Sequence, residues 1–252
     1  MAALRLLDGI ARLAMSSSMT GVYWLQQLEG DVPAEDDWLS PGERLQLSKL
    51  RFLKRRTDWR LGRWTAKRAL AACLNLPDGR RSLAEIEIRA AASGAPEVVL
   101  ANQPLPATIS LSHRSGRAIC AVVRAAVALG CDLEQVEPHS EAFLADYFTA
   151  EEQALAAQSP AADRSRVMTL LWSAKESALK ALHEGLRLDT RSVYATPTDF
   201  SSSASGWRAL RVRYADGQVF DGWWQCSDGF VETVVSAPPL DRPVPLEPQL
   251  RW

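Results

Sequence analysis

The chain has 252 residues, 47% of them hydrophobic and 23% charged, with a net charge of −1. That supports a full core in one large or two small domains and excludes a low-complexity disordered chain or a broadly basic nucleic-acid binder. No apolar run reaches the length of a membrane span. The four cysteines, at 73, 120, 131 and 226, lack CxxC or zinc-knuckle spacing and read as reduced thiols of a cytoplasmic protein.

In chain order, residues 1–19 carry Asp8 and Arg12 inside an apolar stretch, which argues against a secretion signal. They read as a disordered or weakly helical extension, with Met15 and Met19 as alternative starts. "GVYWLQQL" (21–28) reads as a strand. Residues 40–76 read as helix, capped by Ser40, with Pro41 in the first turn and a break expected near Arg56–Asp58. Residues 91–107 read as loop with one short strand. Residues 108–134 read as three strands, separated by turns at Ser115-Gly116 and at Arg124–Ala126.

The second half begins with a helix over 149–158, with a T-x-x-E capping box at Thr149 and Glu152. A longer helix spans 162–185, closed by Gly185. Three strands follow, over 207–215, 218–227 and 229–236, after a Ser-rich loop over 198–206. Helices and antiparallel strands segregate within each half, which is the α+β class. The division is a lobe over 20–125, a second over 126–236, and a Pro-rich tail over 237–252.

Charge is unevenly spread. Residues 41–70 hold ten Lys/Arg against Glu43 and Asp58, whereas 131–152 hold seven Asp/Glu and no Lys/Arg. One basic and one acidic segment suggest an anionic ligand together with a cation.

"GCDLE" places Asp132 and Glu134 at i, i+2 on a strand, so both carboxylates share one face. Like charges that close repel, and a fold gains nothing from them alone. In "LLWSAKESALKAL" (170–182), Glu176 and Lys180 are i, i+4 on one helix face. Alone, that pair reads as an ordinary surface ion pair worth a few tenths of a kcal/mol. Beside the strand acids it reads differently. Asp132, Glu134 and Glu176 would form an oxygen cage for Mg²⁺, converging on one point, with Lys180 beside a bound phosphate. "SLSHRSG" (110–116) groups Ser112, His113 and Ser115 with Arg114 and Arg117, a weaker signal for phosphate.

These segments together, "GCDLE … FTAEEQ … LLWSAKESALKAL" with "SLSH" upstream and "GRWTAKRAL" at 62–70, resemble the 4′-phosphopantetheinyl transferases of the large, broad-specificity (Sfp-type) class. The resemblance implies two similar lobes, each a small antiparallel sheet packed with helices, with the active site in the cleft between them. It implies transfer of the phosphopantetheine arm of coenzyme A to a serine of an apo acyl or peptidyl carrier protein. The released product would be adenosine 3′,5′-bisphosphate. Mg²⁺ would be held by Asp132, Glu134 and Glu176, with Glu176 also a candidate base. Lys180 matches the pyrophosphate-binding lysine, and Ser112 and His113 match coenzyme A contacts. Arg63 and Lys67 sit in the basic helix that meets the phosphates. Lys175 reads as a supporting residue. Glu152 fits the acid of F-x-x-x-E as well as it fits its capping box. The class is usually monomeric, and no nucleic acid or membrane is implied.

Two positions depart from the pattern. Ala95 stands where many members have a lysine, and Arg114 follows His113 where many have a serine. A Mg²⁺-dependent phosphohydrolase and an inactive coenzyme A- or carrier-binding protein are the alternatives. The intact Asp132, Glu134, Glu176 and Lys180 argue against the inactive one.

Overall fold

The computed structural model describes residues 21–184, 188–198 and 206–247. The extension over 1–19, Gly185 and most of the Ser-rich loop lie outside the described residues. The chain divides into two compact units, one ending at Val127 and resuming at Pro243, the other spanning Ala128–Arg242.

In the first unit, β1 (Tyr23–Leu28) leads to α1 (Pro41–Lys49), α2 (Leu53–Cys73) and the single turn α3 (Arg80–Leu83). There follow β2 (Ile86–Ala90), β3 (Pro96–Leu100), β4 (Gln103–Pro104), β5 (Thr108–Arg114) and β6 (Arg117–Val123). The break between α1 and α2 falls at Leu50–Phe52, earlier than expected. Leu50 is extended there, and the Arg56 guanidinium donates back to the Leu47 carbonyl at 3.0 Å. Ser115 and Gly116 both have positive φ, the geometry of a tight hairpin turn between β5 and β6. The apolar face of α2 packs on a sheet in which β1, β6 and β5 are neighbours in that order, and Leu25, Trp38, Leu70, Ile109 and Val122 share its core.

In the second unit, β7 (Ala128–Gln135) is followed by α4 (Glu141–Tyr147), α5 (Ala150–Gln158) and α6 (Arg164–Ala181). β8 (Val193–Pro197), β9 (Arg208–Tyr214), β10 (Val219–Ser227) and β11 (Phe230–Ala237) complete it. The sheet runs β7-β11-β10-β9-β8, antiparallel throughout, and α6 packs Leu170, Leu171, Ala174 and Ala178 into its core. The architecture is therefore α+β. The segment read as a Pro-rich tail supplies β12 (Val244–Pro245), which pairs in parallel with Tyr23 and Trp24 on β1. All four cysteines are free.

Each unit is built on the same buried device. In the first, Ser40 and Glu43 form a capping box at the start of α1. Lys67 of α2, wholly buried, reaches the Glu43 carboxylate at 2.5 Å and donates to the Trp38 and Leu83 carbonyls, both at 3.0 Å. In the second, Thr149 and Glu152 form the capping box of α5. Lys175 of α6, equally buried, reaches Glu152 at 2.7 Å and donates to the Tyr147 and Thr190 carbonyls. The acid's other oxygen accepts from a strand amide in both, Ile88 in one and Ala195 in the other. A charge this deep is tolerated only with an opposite charge and a full set of acceptors. The paired devices tie helix pair to strand in the same way twice, although Ile88 lies in a separate three-stranded sheet, β2-β3-β4, and Ala195 in the five-stranded sheet of the second unit.

Candidate active site

Counting from the matched lysines shows where the units differ. Three residues before each stands a tryptophan. Trp64 Nε1 donates to Gln27 on β1, and Trp172 Nε1 donates to Glu134 on β7 at 3.2 Å. The residue after Lys67 is Arg68, and after Lys175 it is Glu176. Four further on stand Ala72 and Lys180. Two before the tryptophan's partner stand Leu25 and Asp132. The acids and the cation are thus confined to the second unit.

They meet because α6 lies unusually close to β7. A Cβ on Gly130 would sit 1.7 Å from the Ser177 carbonyl oxygen, so only glycine permits this approach. Gly130, Asp132 and Glu134 alternate onto the face that α6 covers. Two serines of α6 lock the contact. Ser173 Oγ and Ser177 Oγ lie 2.9 and 2.6 Å from Thr233 Oγ1 on β11, and Thr233 pairs with Asp132 across the ladder. Trp172, Glu176 and Lys180, at i, i+4 and i+8, form one helix edge running along β7.

On that edge Lys180 Nζ reaches Asp132 Oδ1 at 2.7 Å and the Cys131 carbonyl at 3.0 Å. It does not take Glu176, its expected i+4 partner, in a salt bridge. Burial works against the Lys180 ammonium, but the charges of Asp132 and Glu176 outweigh it and lift its pKa above the ordinary lysine value. Glu176 is shifted upward as well, which for a carboxylic acid disfavours the charged form. Burial and the neighbouring Asp132 charge raise its pKa, and Lys180 only partly offsets them. Its Oε1 is buried with no hydrogen-bond partner. A carboxylate poised above its usual range beside another acid can accept a proton or share a cation.

The expected cage is not preformed. Among the described residues no three His, Cys, Asp or Glu side chains are grouped so as to hold a metal ion. The physical reason is visible at each acid. The Lys180 ammonium sits on Asp132, and the Trp172 indole holds Glu134. Lys180 offsets only part of the repulsion between Asp132 and Glu176.

Trp172 is itself held in place by a feature sequence reasoning missed. Phe143 and Tyr147 of α4 pack on its ring with centroids 5.0 and 5.3 Å away. The Ser140 cap and the i, i+4 aromatic spacing were the available signals for α4.

Lys67 requires correction. The basic helix was expected to offer it to phosphate. It is instead fully buried against Glu43, and desolvation lowers its pKa. Arg63 lies one turn earlier, stacked on Trp59 with its charge 5.0 Å from the ring centroid and 3.8 Å from Glu43. Ser112 is half-buried and His113 exposed near the end of β5. His113 packs beside Gly62, whose added Cβ would lie 3.9 Å from the imidazole. Glu152 and Lys175 are structural, as described above.

Residues 128–225 match the family model of the 4′-phosphopantetheinyl transferase superfamily. That stretch includes β7 and α6 in full and is the part of the chain that carries the acids and Lys180. The family is the one the motifs resemble. A crystal structure of a holo-(acyl-carrier-protein) synthase from Bacillus anthracis, in complex with CoA (3′,5′-ADP), is similar at 22% identity and a TM-score of 0.36. The similarity covers 42% of this chain and 96% of that one. No curated protein matches the chain. Among the described residues no helix is long and apolar enough to cross a membrane.

Proposed function

We propose that the protein is a 4′-phosphopantetheinyl transferase that moves the arm of coenzyme A onto a serine of an apo carrier protein. The observation that carries this reading is the Trp172–Glu176–Lys180 edge laid against Asp132 and Glu134, inside the stretch matched by the superfamily model.

In the reaction the serine Oγ–P bond forms and the bridging P–O bond of the coenzyme A pyrophosphate breaks. The hydroxyl proton passes to a base, and adenosine 3′,5′-bisphosphate leaves. Such transfer needs alignment and charge neutralisation more than covalent chemistry. Glu176 is the base in this reading. Its raised pKa makes it a better proton acceptor than an ordinary carboxylate. Lys180 exchanges its bond to Asp132 for one to a pyrophosphate oxygen. Asp132, Glu134 and Glu176 would hold Mg²⁺. The fit rests on the buried oxygen of Glu176 and its like-charge contact with Asp132, both of which a divalent cation would relieve. When bound, Mg²⁺ would neutralise charge developing on the pyrophosphate. Ser112, His113 and Arg63 are assigned to coenzyme A.

The test is to incubate the protein with coenzyme A, Mg²⁺ and an apo carrier domain and to weigh the carrier. Gain of the arm's mass by the wild type, lost in Asp132→Asn and Glu176→Gln, supports the reading. Release of phosphate or nucleotide with no gain by the carrier would instead indicate the hydrolase.

A further inference from the structure

The elbow between α1 and α2 exposes what soluble surfaces usually cover. Phe52 and Leu53 are 74% and 78% exposed, and Leu45 on α1 is 59% exposed. Single exposed apolar residues are ordinary, but two large neighbours at the tip of one turn form a patch. Around them Lys49, Arg51, Lys54 and Arg55 are all exposed, and residues 45–57 contain no acid. The nearest acid along α2 is Asp58, which takes Lys54.

The elbow is nonetheless held in shape. Leu50 packs against the core, and Arg56, unlike its neighbours, turns back to the Leu47 and Leu50 carbonyls. α1 is anchored at its other end by Glu43 on buried Lys67. An apolar centre rimmed by charge on a fixed backbone is how a protein-binding surface is built.

We propose that this elbow is the docking surface for an acidic face of the apo carrier protein, its apolar centre on Phe52 and Leu53 and its carboxylates on Arg51, Lys54 and Arg55. The proposal rests on the transferase reading for the identity of the partner, but not for the surface. Charge complementarity selects an acidic protein. A membrane suits the elbow less well, because the chain as a whole carries a net charge of −1 and an anionic bilayer would meet far more of it than one basic turn.

The experiment measures KM for the apo carrier domain and KM for coenzyme A in wild type, Phe52→Ser/Leu53→Ser and Arg51→Glu/Lys54→Glu/Arg55→Glu. All five positions are exposed, and melting temperatures confirm that the variants fold. Each variant should raise the carrier KM by about tenfold or more, the usual scale for losing a central contact. KM for coenzyme A and kcat should stay within about twofold. Rising salt should weaken carrier affinity in wild type and much less in the charge-reversed variant. An unchanged carrier KM in both variants overturns the proposal. Binding to phosphatidylserine vesicles that the variants lose, with carrier KM unchanged, overturns it in favour of a membrane. If wild type transfers no arm at all, the transferase reading fails by itself. Fluorescence anisotropy with the labelled apo carrier domain then decides docking. Binding weakened by both variants upholds the surface, and absent or unaltered binding overturns it.

Discussion

Lys180 Nζ bonds Asp132 Oδ1 at 2.7 Å and passes over Glu176, the acid one turn before it on the same helix. The lysine therefore serves as counter-ion to a carboxylate whose side chain is only 4% exposed. Read from sequence, Lys180 is an exposed helix lysine whose loss costs almost nothing. In the structure its loss strands a buried charge.

Lys180→Ala should accordingly destabilise the protein by about 1–3 kcal/mol. This is below the usual cost of breaking a buried pair because the lysine side chain is 28% exposed. Transfer should slow by about a hundredfold or more, the scale of removing one electrostatic donor. Adding Asp132→Asn to Lys180→Met should recover most of the stability and none of the activity. Urea unfolding and single-turnover transfer measure the two quantities separately.

Gly130→Ala tests the close approach of α6 to β7. Its Cβ would enter the Ser177 backbone, so α6 must shift, at a cost of about 3 kcal/mol. Gly79→Ala is the control. Nothing lies within 4 Å of its Cβ and its φ is −64°, so stability should stay within about 0.5 kcal/mol. Thermal melts of the two variants should differ sharply, and the first should also lose transfer activity.

Glu176→Gln should make the metal-free protein more stable at neutral pH while abolishing transfer. The sign follows from the raised pKa. Between the ordinary glutamate value and the raised one, the folded state holds a proton that the unfolded state has lost, so stability falls as pH rises through that window. Above it the ionised Glu176 carries its full penalty against burial and Asp132. Below the ordinary value the penalty is gone and wild type and variant should converge. Melting curves in EDTA from acid to neutral pH check this. A gap that persists unchanged into acid would contradict it.

Much of the site was legible because two periodicities fix it. A period of two puts Asp132 with Glu134, and a helical period puts Glu176 with Lys180. What sequence could not supply was which charges leave water. Lys67 looked like a phosphate ligand because it lies in a basic helix and a motif-like segment, yet it is the interior partner of Glu43. A usable signal existed. Glu43 precedes Lys67 by 24 residues and Glu152 precedes Lys175 by 23, each acid closing a capping box. The edge strand β12 was illegible for a different reason. A Pro-rich segment reads as extended coil, and only the exposed edge of β1 makes it a strand.

The reassignment of Lys67 is testable beside Arg63. Lys67→Met should destabilise by about 3–5 kcal/mol, since it leaves Glu43 buried without its ammonium, and Lys175→Met should cost a similar amount. Neither should change the preference for coenzyme A over 3′-dephospho-coenzyme A in protein that remains folded at low temperature. Arg63→Ala should lose most of that preference if its guanidinium holds the 3′-phosphate. An undiminished preference would move that contact to Arg114 or to the loop at Ser93–Pro96.

The central claim is that Asp132, Glu134 and Glu176 hold a divalent cation once one is supplied. The direct measurement is Mn²⁺ binding followed by electron paramagnetic resonance, with coenzyme A present, in wild type, Asp132→Asn and Glu176→Gln. The account predicts one site in wild type that Mg²⁺ displaces, and its loss or a weakening of about a hundredfold in both variants. Equal Mn²⁺ affinity in all three proteins would contradict it.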